Sequence, residues 1–441
     1  MIFLFYVTII ITPLYYIKMQ LKQLKPLYTF VSIFLFSVSA YAQTDTLKIN
    51  FAEAEKTFIK NNLSLIAQKY NIQSAQALAQ QAGLWDNPTL ATDQTLYDNT
   101  HTFFNHANGK GEVYAVLSQV FRTAGKRGML VQLAKDGVLI QQAQFNDLMR
   151  NLHYNLQLDF VTLAALNKQA KVYQYEIAAG TRLVNTIEGA YKTDKTKYKD
   201  YIRLKALLFG VENDMVDNQR QINALEIELK VLLRTTPAVF ILPVVKSSEY
   251  TEEKLAVNDL LAKAEIYRAD YLSSQYNLAN SQHNFSYQKA LAVPDVTIGV
   301  DYDHTNSYAL NYYGLQIGFA LPLFNRNQGN IKSAMYDVQA KESTLKENEL
   351  RLENAIVASV AQYQVSVKLL AGKHEYFNEE YDKLFDSLLN DYQAKKIGLV
   401  DFVDFFDSYK DTKLKVLQQQ YNLQKAIADL NYTVGTTIVH P

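Results

Sequence analysis

Two stretches of this 441-residue chain carry apolar residues at heptad spacing over lengths that no single globular core uses. In the first, Leu163, Leu166, Ala170, Tyr173, Ile177, Gly180, Val184, Ile187 and Tyr191 step alternately by three and four. After a break, Tyr201, Leu204, Leu208, Val211, Met215, Asn218, Ile222, Leu225, Leu229 and Leu232 continue the pattern. In the second, Tyr363, Val367, Leu370, His374, Phe377, Tyr381, Leu384 and Leu388 lead to a break, then Phe402, Phe405, Tyr409, Thr412, Val416, Gln419, Leu423, Ala426 and Leu430 follow. A helix running from about Gly125 to Tyr191 is on the order of 100 Å long at 1.5 Å per residue. Only 16 Gly and 8 Pro punctuate the chain, which fits a few long elements.

The two stretches belong to two similar halves. Tyr70-Asn71 and Pro88 recur as Tyr276-Asn277 and Pro294, and Tyr191, Asp200 and Tyr201 recur as Tyr392, Asp401 and Phe402. After each proline the periodicity changes from helical to two-fold. Val296, Ile298, Val300 and Tyr302 alternate with polar or small residues, and Leu315, Ile317, Phe319 and Leu321 follow across a turn. The first half repeats this more weakly, with Leu90 to Tyr97 and Val113 to Phe121. Each half therefore supplies a strand hairpin and a coiled-coil hairpin. Strands with one apolar face, rich in Tyr and Phe, suit a membrane barrel, but known barrels start at eight strands. Four strands require several chains.

The expected organisation is a signal peptide over residues 1–42, a first repeat over 43–245 and a second over 246–441. Met19 is the expected start. It precedes Lys22 and Lys25, an apolar run from Leu27 to Val38, and Ala40-Tyr41-Ala42 as the cleavage site before Gln43. The chain has no cysteine, which excludes disulfides, cysteine metal sites, a catalytic thiol and a lipid-modified mature N-terminus. Forty-four basic against 44 acidic side chains, with no basic patch, argues against a nucleic-acid partner. His101 and His106 read as residues of an exposed loop without a third ligand. His374 reads as a seam or tunnel-facing residue, and Gly109-Lys110-Gly111 as a turn. No catalytic signature is present, so no enzyme activity, cofactor or metal site is expected. Lys126, Arg127 and Arg326, at the helical ends of the strands, are expected to face water or lipid headgroups.

The residues Asn87-Pro88, Val293-Pro294, Leu321-Pro322-Leu323-Phe324 and the segment from Tyr392 to Tyr409 resemble the TolC-like outer-membrane efflux protein family. The resemblance runs from about Thr46 to Val439. It implies a mainly α fold with a β part: a homotrimer with a twelve-strand barrel in the outer membrane of a Gram-negative bacterium and a coiled-coil α-barrel through the periplasm. It also implies a periplasmic adaptor and an inner-membrane pump of RND type as partners, and it leans towards cation or heavy-metal efflux. On the family's entrance motif fall Asp401 and Asp404 as the two carboxylates and Tyr392 as the aromatic residue. Where the family commonly has glycine three residues after that tyrosine, this chain has Lys395. Arg203 matches Asp404 in the other half and is a candidate latch to Asp401 or Asp404. The expected function is a passive export duct. The alternatives are a periplasmic coiled-coil adaptor or scaffold without a pore and, among ducts, an exit for type I protein secretion.

Overall fold

The computed structural model describes residues 46–97, 103–104, 111–191, 198–245, 255–305, 309–370 and 379–440. The signal peptide, His101, His106, His374, Gly109 and Lys110 lie outside them. Six strands and nine helices occur among the described residues. The chain starts with β1 (Thr46–Asn50), α1 (Phe51–Asn61) and α2 (Leu63–Ala82), then the strands β2 (Thr89–Gln94) and β3 (Val113–Phe121). The 66-residue α3 (Lys126–Tyr191), α4 (Tyr198–Leu233) and β4 (Phe240–Val244) complete the first half. The second half contains α5 (Val257–Tyr267), α6 (Ala269–Leu291), β5 (Val296–Asp303), β6 (Tyr312–Phe319), α7 (Gln328–Leu370), α8 (Glu379–Gln393) and α9 (Leu399–Val434).

Local chemistry sets the short helices. Asn50 caps α1 in a reciprocal box, its side chain accepting from the Glu53 amide while the Glu53 carboxylate accepts from the Asn50 amide. Asn62 caps α2 by accepting from the amides of Ser64 and Leu65. The long helices have no strongly one-sided apolar face, because each is packed on more than one side. Among the described residues α3 touches α2, α4, α6 and α9, and α7 touches α6 and α9.

Four strands form one antiparallel sheet in the order β2-β3-β5-β6. Near the sheet the helices follow the same order, α2, α3, α6 and α7, since each strand continues a helix and each helix packs beside the next. Toward the other end the order becomes α4, α3, α9, α7. The sheet register places Leu90, Leu117, Val300 and Leu315 in one cross-strand row on one face. Asp93, Tyr114, Asp303 and Tyr312 form a row on the other. The apolar row is exposed, with Leu315 at 69%. Gly314 leaves room on the polar face for the Asp301 carboxylate, one oxygen of which would lie 2.6 Å from a Cβ there.

Two further strands were not expected. The four strands of the hairpins account for only one sheet; β1 and β4 pair in parallel as a second one. The buried Glu226 ties this pair to α4, accepting from the Ile241 amide at 3.2 Å and pairing with Lys230 at 3.1 Å. Ile49 and Ile241 join Phe58, Leu156, Phe160 and Leu229 in one core. A second core, around Tyr363, Ile356 and Leu430, unites α5, α6, α7 and α9.

The heptad expectation holds over α4, where Tyr201, Leu204, Val211, Asn218, Ile222 and Leu229 are buried. The Asn218 amide donates to Gln169 on α3 at 3.2 Å. In α8 the expectation is off by one residue: Leu384 is exposed, and Phe385 and Leu389 are buried. Phe385 wins because its ring stacks on Tyr409 at 4.2 Å and also meets Phe406, contacts no isolated heptad reveals. Lys126 is also not a headgroup-facing charge. It is 3% exposed, and its ammonium reaches Asp295 at 2.6 Å and the Val293 carbonyl, locking the foot of one hairpin to that of the other.

Candidate functional site

The helical tip is built on aromatic packing. Tyr173, Leu183 and Val184 of α3 and Tyr201, Leu204 and Val211 of α4 meet Phe385 and Leu389 of α8 and Phe402, Phe406 and Tyr409 of α9 in a third core. Stacked or tilted aromatic pairs of this kind add roughly 0.5–1.5 kcal/mol beyond area burial. Polar groups close its edge. The Tyr409 hydroxyl donates to Asp382 and the Tyr175 hydroxyl to Asp386, each at 2.6 Å. Burial, then these carboxylate partners, push both phenols well above the ordinary tyrosine range.

The turn between α8 and α9 resolves the departure at Lys395. The Lys396 amide donates to the Asp391 carbonyl and the Lys395 amide to the Tyr392 carbonyl, both at 2.9 Å. This is the Schellman arrangement, and Lys395 sits at its left-handed position with φ 61°. Lysine thus does the conformational work usually given to glycine, and Lys396 reinforces the turn through an ion pair to Asp391 at 3.0 Å.

Asp401 and Asp404 are both exposed, on the face of α9 opposite the buried Phe402 and Phe406. Their spacing of three puts them on one side of the helix. Asp401 lies in the first turn, where the helix dipole favours a carboxylate, but the N-cap is Gly398 and makes no side-chain cap. Tyr392 is brought to the other face, stacking on Phe402 at 4.8 Å with the rings 20° apart. Burial, then the Asp200 carboxylate, raise its phenol. Tyr392, Asp200, Leu183, Thr186 and Leu399 line a cavity of about 320 Å³ between the two hairpins. Arg203 is exposed on α4, and among the described residues no ion pair joins it to Asp401 or Asp404.

The sequence reading passed over Glu176. It is fully buried on α3, and both of its carboxylate oxygens lack a hydrogen-bond partner among the described residues. Its only sequence signal is a position one residue before Ile177, which the heptad series assigned to the seam.

No family model matches the sequence, and no curated protein does either. Solved structures do. The chain superposes on CusC, in structures concerned with folding and transmembrane channel formation, with a TM-score of 0.71 at 14% identity, covering 90% of this chain and 96% of that one. The outer-membrane channel OprN gives 0.71 at 12% identity, covering 87% and 89%. The outer membrane protein VceC from Vibrio cholerae gives 0.69 at 17% identity, covering 88% and 97%. With near-complete coverage on both sides, the chain has the fold of the TolC-like outer-membrane efflux proteins.

Proposed function

We propose that this protein is the outer-membrane duct of a tripartite export system, working as a homotrimer. The observation that carries this reading is the four-stranded sheet, one face of which carries the row Leu90, Leu117, Val300 and Leu315 while the other carries Asp93, Asp301 and Asp303. A lipid-facing wall around a polar lumen has this inversion. Both edges, β2 and β6, are unpaired among the described residues, and three copies of four strands make twelve. The helical edges support the same closure. Exposed Ile202, Phe209 and Val216 recur every seven residues on α4, and exposed Tyr336, Leu350 and Val357 keep the same heptad phase on α7. A copy's α4 thus has a complementary stripe to meet on its neighbour's α7. No described helix is long and apolar enough to cross a membrane, so the strands are the crossing elements.

At the tip, three copies of Asp401 and Asp404 would surround the axis as carboxylate rings that attract cations. Tyr392 restricts the closed entrance together with these carboxylates, and Arg203 latches neighbouring hairpins by a contact to Asp404 or Asp401. A periplasmic adaptor opens the entrance by binding the open state better, and an inner-membrane pump, of RND type, supplies the energy. The two halves, 43–245 and 246–441, act as structural repeats, preceded by an export signal over 1–42. The test is conductance in planar bilayers of protein purified from outer membranes. Wild type should give small, cation-selective trimeric channels, and the double variant Asp401→Ala, Asp404→Ala larger and less selective ones. Folded trimers without conductance in either form would sink the duct in favour of a scaffold.

A further inference from the structure

The first-half hairpin buries two glutamates, and they are treated oppositely. Glu226 is held by Lys230 and the Ile241 amide. Glu176 is 0% exposed and its two oxygens meet no donor among the described residues. A buried ionised carboxylate without partners is prohibitively costly, so a group in this setting is kept neutral. The charges of Asp214 on α4 and of Asp407, Lys410 and Asp411 on α9 act on it, and its own charge bears on Tyr173 of α3 and Tyr409 of α9. Asp382 and Lys413 approach the same layer through Tyr409 and each other. The ammonium whose charge opposes that burial, that of Lys410, is engaged by Asp214 at 3.2 Å. Two carboxylates of the first-half hairpin, on α3 and α4, therefore compete for one cation of the second-half hairpin, on α9.

We propose that Glu176 is a proton-controlled catch between the two helical hairpins. Protonated, it is a neutral filler and Lys410 stays on Asp214, clasping α9 to α4. Deprotonated, it adds another carboxylate to a layer already holding Asp214, Asp407 and Asp411, draws Lys410 away from Asp214, and admits water between α3, α4 and α9. Docking of further copies can only bury it more, so the device belongs to the single chain; only its effect on the entrance rests on the duct reading.

Burial, opposed in part by Lys410, lifts Glu176 from its ordinary 4.5 to about 8. The packed joint is therefore most stable below the ordinary value, weakens as pH rises between the two, and has lost the whole contribution above about 8.

The chain's lack of cysteine makes the test direct. Glu212→Cys on α4 and Ser408→Cys on α9, both exposed, receive spin labels in the full-length protein, diluted with unlabelled chain so that only distances within one chain are read. The expected result is one short distance at pH 4.5 that gives way to longer ones as pH rises, the change being complete above about 8, and a Glu176→Gln background that keeps the short distance to pH 10. An invariant wild-type distance, or a Glu176→Gln background that changes in step with wild type, overturns the proposal. Should Glu176→Gln not fold, Glu176→Met decides: a neutral side chain of similar length must keep the short distance to pH 10, and lengthening in step with wild type overturns the catch. Because the labels report on one chain, a protein that fails to conduct leaves this result readable.

Discussion

The sheet and the helical tip place apolar side chains in opposite surroundings. Leu315 on β6 is 69% exposed in a row of exposed apolar residues, whereas Phe385 on α8 is 1% exposed inside an aromatic core with charged groups outside it. One end is inverted relative to the other, and on the duct reading that contrast is between a surface for lipid and a core for water-facing helices. Hydrophobicity alone does not distinguish the two sites; the register that aims each side chain does.

Three substitutions bear on that contrast, in decreasing size. Phe385→Ala should cost the most, about 3–5 kcal/mol, because it leaves a void among Tyr175, Tyr409 and Phe406. Denaturant unfolding of the purified protein measures it, and a cost under about 1 kcal/mol would mean that the tip is not a packed core. Leu315→Arg should cost about 2–4 kcal/mol per chain in a bilayer if the exposed row meets lipid. Folding yield into vesicles, compared with that of Gln316→Arg on the polar face, reads it; equal yields would remove the inversion. Lys395→Gly should stabilise the tip by about 1 kcal/mol, since glycine takes the left-handed backbone without the Cβ penalty. A melting temperature that falls in this variant would show that the Lys395 side chain contributes more than its backbone strain costs.

Legibility in the sequence followed the range of the forces involved. The strand β3 spans Val113–Phe121 as alternation alone indicated, and α3 begins within one residue of the expected start at Gly125. The pair β1 and β4 was missed because each has five residues and its partner lies far along the chain, and β4 carries Pro243, which weakens any strand signal. The short apolar run at Phe240–Val244 was the one available hint. Glu176 was missed for a related reason. A heptad pattern identifies one seam, but α3 is packed by α4 and α9 as well as by α2 and α6, so its buried sector is wider than a seam. Asp401 and Asp404 were legible as an exposed acidic pair, whereas the stacking of Tyr392 on Phe402 was not.

What the sequence determined by itself is the periodicity: which of the long segments are helix, which form the two strand hairpins, and that one chain's four hairpin strands are too few to close a barrel. Those properties arise from interactions between near neighbours and are written in residue spacing. What only the tertiary structure decided is which of two adjacent residues turns inward, which charges are buried, and which are left without partners. Lys126 with Asp295, Glu226 with Lys230, and Glu176 with no partner among the described residues are outcomes of that kind. Each depends on the desolvation and pairing of groups on different helices, and such contacts exist only once the helices have been brought together.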